Sequence, residues 1–205
     1  MEFNKNHWYD GKFYDKFIAP NQDKAFGIAK DLIEKDSKVL DFGCGTGRLG
    51  LQLASHCKTV DGMDLSRKNI SIAKANLKNT GIVNVRYFHS DIDTFFENEQ
   101  RKYEYAVLSY VIHEIKSEER TDLMKKISEK CEKIIIVDYL VPRPCGFVNI
   151  INELVEFFAG ISHYKNFKSY VKTGGIKGLA EKCGLKIINE IINEPVTAHI
   201  VILKR

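Results

Sequence analysis

The chain has 205 residues, of which 44% are hydrophobic and 28% are charged, so it can bury one large core and is too apolar to be disordered. Its 31 Lys and Arg residues against 27 Asp and Glu residues give a net charge of +4, a mild excess that does not imply a nucleic-acid partner. The five cysteines are widely spaced and form no C-x-x-C pair, which predicts a cytoplasmic protein without a disulfide framework or a zinc site. The sequence has no apolar run of roughly 18 residues, so we predict no membrane span.

Short β-branched runs alternate with longer segments of helical period, which predicts an α/β protein with a parallel sheet covered by helices on both faces. A helix with Phe26, Ala29 and Ile33 on one face precedes the first strand, residues 38–42. Four more strands are predicted at residues 59–64, 84–91, 103–109 and 133–139, with helices between them. Five strands joined by crossovers indicate a doubly wound sheet.

The alternation of strands and helices stops at Pro142 and Pro144, so residues 143–173 are predicted to be an insertion. A last helix ends at Gly184, and two apolar segments after it are predicted to form an antiparallel hairpin at the sheet edge. We therefore expect one domain over residues 1–205, with residues 1–20 as an N-terminal cap segment.

The most informative motif is VLDFGCGTGRLG, residues 39–50, in which a buried strand leads through a glycine-rich turn into a helix. Glycines allow backbone angles and close approaches that a Cβ would prevent, so we expect a nucleotide-like ligand at this turn. The glycine spacing does not identify the ligand, because residues 45–50 also match the G-x-G-x-x-G pattern of dinucleotide-binding proteins.

Three carboxylates at successive strand ends favour S-adenosylmethionine as the ligand. Asp41 would repel a pyrophosphate but attracts the α-ammonium group of S-adenosylmethionine, whose carboxylate the backbone N–H groups of the turn can receive. Asp64 is placed for the ribose hydroxyls of either ligand. Asp91 is placed for the adenine amino edge, with Ile92 over the ring.

With these residues the sequence resembles the class I S-adenosylmethionine-dependent methyltransferases of small-molecule type over residues 23–139. The family's D-x-G-x-G-x-G motif falls on residues 41–47, its ribose-binding acid on Asp64 and its adenine-side acid on Asp91. The resemblance implies a Rossmann-like seven-stranded sheet in the order 3-2-1-4-5-7-6 with an antiparallel seventh strand. It also implies that residues 143–173 are a substrate-side insertion. The expected cofactor-binding residues are Asp41, Gly43, Cys44, Gly45, Gly47, Asp64, Leu65, Asp91, Ile92, Ser109 and Tyr110.

The fourth strand ends in SYVIHE, residues 109–114, where the family usually places the substrate and the methyl group. This segment has no N-P-P-Y-like sequence, which argues against nucleic-acid and glutamine substrates, and Ser109 stands where metal-dependent members have an acidic ligand, so we predict no metal. His113 and Glu114 are the candidate catalytic residues, because an ordinary histidine accepts a proton near neutral pH. Alternatively, His113 only packs beside the cofactor and Glu114 is an exposed charge.

Four side chains outside the strand ends are candidate substrate residues, namely Tyr9, Tyr14, His163 and Tyr164. They can close over the active site as an aromatic lining. Alternatively, they only fasten the two peripheral segments to the body of the protein.

The predicted function is transfer of a methyl group from S-adenosylmethionine to an N, O, S or C atom of a small molecule, without a nucleic-acid or membrane partner. Three alternatives stay open. The first is an NAD(P)-dependent oxidoreductase, which the overlapping glycine pattern allows. The others are a non-catalytic S-adenosylmethionine-binding module and an RNA or protein methyltransferase.

Overall fold

A computed structural model describes residues 22–158, 160–193 and 196–205. The expected N-terminal cap segment, with Tyr9 and Tyr14, lies outside the described residues. The chain forms two compact units, Met1–Val107 and Leu108–Arg205.

The first unit alternates helices and parallel strands. Its elements are α1 (Asp23–Asp31), β1 (Lys38–Phe42), α2 (Arg48–Leu53), β2 (Thr59–Asp64), α3 (Arg67–Leu77), β3 (Val85–His89), α4 (Ile92–Asn98) and most of β4 (Tyr103–Ser109). Strand β2 pairs in parallel with β1 on one side and with β3 on the other. Crossover helices therefore connect strands that run in the same direction.

The second unit begins with the last two residues of β4 and ends in an antiparallel hairpin. Its elements are a 3₁₀ turn (Ile112–Glu114), α5 (Ser117–Lys130), β5 (Cys131–Tyr139), α6 (Phe147–Phe158), α7 (Ile161–Lys172), α8 (Gly175–Cys183), β6 (Lys186–Ile192) and β7 (Ala198–Lys204). Strand β7 pairs antiparallel with both β5 and β6. Among the described residues, no helix combines the length and the apolar character that a bilayer crossing requires.

The seven strands form one sheet in the order β3-β2-β1-β4-β5-β7-β6, which confirms the α/β fold and the strand order that the resemblance implies. Strands β1, β2 and β4 have the predicted bounds, whereas β5 begins two residues earlier, at Cys131. The segment predicted as an insertion contains α6 and α7. The two prolines therefore mark the point where two helices are added to the alternation of strands and helices.

The inner strands are hydrophobic on both faces, as strands covered by helices on two sides must be. Val39 and Leu40 of β1 are fully buried, and so are Ile135, Ile136 and Val137 of β5. Because both faces are buried, these strands show continuous apolar runs instead of the alternation of a half-exposed strand. Strand β6, at the edge of the sheet, is exposed along most of its length.

A tyrosine of β3 packs directly against three glycines of the first unit. The Tyr87 hydroxyl donates a hydrogen bond of 2.6 Å to the carbonyl of Gly47. A Cβ added at Gly47, Gly50 or Gly62 would lie between 2.5 and 2.8 Å from an atom of the Tyr87 side chain. Glycine at residues 47 and 50 is therefore required by a protein side chain, whereas the sequence pattern had suggested a requirement set by a ligand.

We predict that Gly62→Ala destabilises the chain by about 1–3 kcal/mol, because the added methyl would lie 2.7 Å from Tyr87 Cδ1 and 3.0 Å from the Cys44 side chain. Gly27→Ala is the matched control, since a Cβ there meets nothing within 4 Å and alanine favours the interior of α1 by up to about 1 kcal/mol. Urea unfolding of both variants measures the difference. Equal stability of the two variants would show that the Tyr87 side chain moves aside for a methyl group at residue 62 without cost.

Candidate functional site

The glycine turn after β1 has a backbone shape that only glycine adopts easily. Gly43, Gly45 and Gly47 have φ angles of 71°, 54° and 80°, all in the left-handed region. The N–H groups of Gly43 and Cys44 donate to the Met63 carbonyl at 2.8 and 3.0 Å. The loop is thus attached to β2 through its own backbone.

Two further N–H groups of the loop also have partners within the protein. The N–H of Gly45 donates to Asp64 Oδ2 at 2.9 Å, and the N–H of Gly47 donates to the Cys44 carbonyl at 2.9 Å. We had expected turn N–H groups to receive the carboxylate of S-adenosylmethionine. At Gly43, Cys44, Gly45 and Gly47 those N–H groups already hold the loop together.

Asp64 fixes the tip of β2 to the loop through both of its carboxylate oxygens. Oδ2 accepts from the N–H of Gly45, and Oδ1 accepts from the N–H of Ser66 at 2.7 Å. The residue is only partly buried, and each carboxylate oxygen can accept more than one hydrogen bond. Asp64 can therefore hold the loop and still accept ribose hydroxyls.

Asp41 is a buried carboxylate at the end of β1. The residue is 1% exposed, and its Oδ2 atom has no hydrogen-bond partner among the described residues. Burial, together with the charge of Asp64, raises the pKa of Asp41 from 3.8 to about 7. An ionised carboxylate in such a place is costly unless a cation or donor approaches it, so the residue fits an ammonium group.

The other cofactor candidates of the first unit have specific places in the protein. Asp91 caps α4, with Oδ1 accepting from the N–H of Thr94 at 2.8 Å, and Ile92 is buried. The Leu65 carbonyl lies 3.1 Å from His89 Nε2. Cys44 is buried, and desolvation raises its thiol pKa well above the usual range, so it remains a neutral packing group.

Ser109 and Tyr110, at the end of β4, form a strained turn. Tyr110 has a φ angle of 55°, which is uncommon for a residue other than glycine. Its N–H donates to the Val137 carbonyl at 2.7 Å, which holds the turn against β5. The Ser109 hydroxyl is buried and finds no hydrogen-bond partner in the described part of the chain. Strain and an unsatisfied hydroxyl at a strand end are typical of functional sites.

His113 lies in the second unit, 2% exposed, with both ring nitrogens facing carboxylates. Its Nδ1 is 2.6 Å from Asp138 Oδ1, and its backbone N–H donates to Asp138 Oδ2 at 3.1 Å. Its Nε2 is 3.5 Å from Glu156 Oε2. Asp138 therefore fixes the orientation of the ring.

These carboxylates determine the protonation of His113. Burial by itself would lower the pKa of the ring, but Asp138 and Glu156 outweigh burial and raise the pKa well above its usual value. Burial would raise the pKa of Glu156, yet contact with His113 and His163 lowers it. A ring that already holds two protons cannot act as a general base, so these surroundings favour the packing role that the sequence left open for His113.

The insertion helices bring further candidates to the same place. His163 Nε2, from α7, lies 2.5 Å from Glu156 Oε2 of α6 and 4.0 Å from Glu114 Oε1. The Tyr139 hydroxyl donates to Glu156 Oε1 at 2.6 Å. His113, Glu114 and His163, which the sequence suggested for different roles, are thus neighbours.

Tyr164, a candidate substrate residue, forms a hydrogen bond within the insertion. The Tyr164 hydroxyl donates to Glu153 Oε1 at 2.9 Å and so links α7 to α6. Sequence reasoning missed Asp138 and Glu156. Asp138 ends an apolar strand, as Asp41 and Asp64 do, and that pattern could have identified it.

Comparison with known proteins relates part of the chain to methyltransferases. A family model described as "Methyltransferase domain" matches residues 39–133. An uncharacterised RNA methyltransferase of Halalkalibacterium halodurans is 48% identical over 50 residues, which are 24% of this chain and 11% of that protein. An uncharacterised methyltransferase of Bacillus licheniformis is 30% identical over 116 residues, 55% of this chain and 52% of that protein.

Solved structures agree with this match at the level of the fold. The magnesium protoporphyrin IX methyltransferase of Synechocystis PCC 6803, crystallised with bound SAH, superposes with a TM-score of 0.61 at 17% identity, covering 91% of this chain and 82% of that one. The chain spans only 11% to 30% of the lengths of three curated relatives that it matches. Residues 39–133 therefore match a methyltransferase domain, and the chain shares the fold of the Synechocystis methyltransferase.

Proposed function

We propose that the chain transfers the methyl group of S-adenosylmethionine to an N, O, S or C atom of a small molecule. The observation that carries this proposal is the buried Asp41 carboxylate with an oxygen lacking a hydrogen-bond partner among the described residues. A cationic ligand satisfies this oxygen, whereas the pyrophosphate of NAD would add negative charge beside it. The same observation therefore argues against the oxidoreductase alternative.

In this proposal the residues of the first unit hold the methyl donor. Asp41 receives the α-ammonium group, Asp64 receives the ribose hydroxyls, and the backbone near Asp91 faces the adenine. The sulfonium supplies an already activated methyl group, and the electron pair of the broken C–S bond stays on sulfur. The protein mainly aligns the acceptor and excludes water, so the proposal does not require His113 as a base.

RNA is the second candidate acceptor, because several curated relatives are named RNA methyltransferases. Our expectation that nucleic acid is an unlikely partner finds no support in these relatives. The small-molecule proposal is supported by the net charge of only +4 and by the absence of an N-P-P-Y-like sequence after β4.

We predict that Asp41→Asn weakens S-adenosylmethionine binding by roughly 10- to 100-fold, because an amide cannot replace a charge-assisted hydrogen bond to the ammonium. Calorimetry measures the affinity, with the exposed Asp36→Asn as the matched control. Methylthioadenosine lacks the amino-acid group, so its affinity should change little in Asp41→Asn. Equal weakening of both ligands, or tight binding of NAD to the wild-type chain, would contradict the proposed role.

The raised pKa of Asp41 predicts a specific dependence of stability on pH. Between about pH 4 and pH 7 the folded chain keeps a proton on Asp41 that the unfolded chain has released, so this residue lowers the unfolding free energy as pH rises through that window. Asp41→Asn removes this loss of unfolding free energy, which amounts to at most roughly 4 kcal/mol at about 1.4 kcal/mol per pKa unit.

Urea unfolding between pH 4 and pH 8 measures this difference without cofactor. The stability of Asp41→Asn relative to wild type should increase up to about pH 7 and then stay constant. Asp91→Asn is the control, because the hydrogen bond from the N–H of Thr94 lowers the pKa of Asp91, so its contribution is lost only below this pH range and its stability difference from wild type should stay nearly constant. A pH-independent difference for Asp41→Asn would contradict the assigned titration.

Methyl-labelled S-adenosylmethionine distinguishes the two acceptor classes and the binding-only alternative. We expect label to appear in compounds of a metabolite extract from which macromolecules have been removed. Label in purified RNA alone, with binding to RNA that weakens steeply with salt, would assign the second candidate instead. Cofactor binding without label in either fraction would favour a non-catalytic module.

A further inference from the structure

Four side chains of the second unit bring metal-binding atoms together, and we call them the His–Glu cluster: His113, Glu114, Glu156 and His163. One donor atom from each of His113, Glu114 and His163 lies within 4.8 Å of the others. Glu156 Oε2 lies 2.5 Å from His163 Nε2 and 3.5 Å from His113 Nε2. We propose that the His–Glu cluster binds one divalent transition-metal ion, with zinc as the preferred ion.

The distances suit an ion of this size. Zinc binds imidazole nitrogen and carboxylate oxygen at about 2.0–2.2 Å in a tetrahedron, so two of its ligands stand about 3.4 Å apart. The separations of 2.5, 3.5 and 4.0 Å fall on both sides of that value. Each of these three separations differs from the tetrahedral value by about 1 Å or less.

Residues around the His–Glu cluster orient its donor atoms through hydrogen bonds, as the neighbours of metal ligands commonly do. A ligating histidine usually gives its second ring nitrogen to a carboxylate, and His113 Nδ1 lies 2.6 Å from Asp138 Oδ1. This contact directs Nε2 toward Glu156, and zinc would bind there by displacing to solvent the proton that Nε2 holds in the metal-free chain. The Tyr139 hydroxyl holds the other oxygen of Glu156, which leaves Oε2 directed at the two imidazoles.

The donor set and its burial indicate which ion and which role. Two imidazoles with carboxylates suit zinc and similar ions, whereas magnesium and calcium prefer all-oxygen sites. Two carboxylates also balance the charge of a divalent ion. His113, Glu156 and His163 are buried, and four protein ligands would leave no coordination position for water, as in structural zinc sites.

A bound ion would join three elements of the second unit. His113 and Glu114 belong to the 3₁₀ turn, Glu156 to α6 and His163 to α7. The ion would therefore fasten the two insertion helices to the turn after β4. Our expectations of no metal rested on Ser109 and on the cysteine spacing, and neither concerns these side chains.

The first test is metal binding by the full chain after removal of metals with a chelator. We expect one zinc ion per chain by elemental analysis and calorimetry, and a rise in melting temperature of at least about 5 °C at 100-fold excess over Kd. Cobalt should give the visible absorption of a tetrahedral site. If no ion binds under these conditions, hydrogen bonds between the protonated imidazoles and the carboxylates account for the cluster, and the proposal is overturned.

Variants then locate the ion. Glu114→Gln changes a partly exposed ligand and His163→Gln a buried one, and each should weaken zinc binding at least about 100-fold. His199→Gln is the matched control, because His199 pairs with Glu190 at 3.0 Å in the same unit. Cys145→Ser, at the exposed thiol among the five described cysteines, excludes binding there.

Both controls should bind zinc as the wild type does, and circular dichroism checks that every variant is folded. Undiminished zinc binding by folded Glu114→Gln and His163→Gln overturns the proposal, as does loss of zinc from either control. S-adenosylmethionine affinity, measured on the same samples, reports separately on the proposed function.

Discussion

A carboxylate buried at the end of the first strand constrains what the glycine turn of this protein can hold. Asp41 is 1% exposed, one of its oxygens has no hydrogen-bond partner among the described residues, and the charge of Asp64 adds to the cost of its ionisation. A ligand that brings positive charge relieves this cost, and a ligand that brings phosphate increases it. The acid therefore carries more information about the ligand than the glycines do.

The glycines serve the architecture of the loop itself. Gly47 and Gly50 lie against the Tyr87 side chain, and the N–H groups of Gly43 and Gly45 are used in hydrogen bonds to β2. A loop held in this way is already shaped before any ligand binds. Little conformational entropy then remains to be lost on binding, which favours affinity.

Much of the fold follows from local sequence patterns. The buried strands, the capping Ser66 and the αL glycine at residue 184 are all recognisable without tertiary information. The acid that ends β2, Asp64, is also visible in the sequence, whereas its hydrogen bonds to the N–H groups of Gly45 and Ser66 are not. The strand order came from the family resemblance and not from the residue pattern.

The contacts between distant residues were not predictable. An aromatic residue within a strand indicates only a core position, so the contact of Tyr87 with three glycines is visible only in the folded chain. The pairing of His113 with Asp138, and of His163 with Glu156, likewise depends on which helices and strands meet. Sequence spacing could nominate the histidines but could not say that carboxylates would face them.

Carbon-detected NMR of the Asp41 side-chain carboxyl, with and without S-adenosylmethionine, tests the central claim most directly. In the free protein the group should titrate with a pKa near 7, and the bound ammonium should lower that pKa by about 1–3 units. A carboxyl that titrates near 4 in the free protein, or whose pKa does not fall when the cofactor binds, would contradict the assignment of Asp41 as the partner of the ammonium.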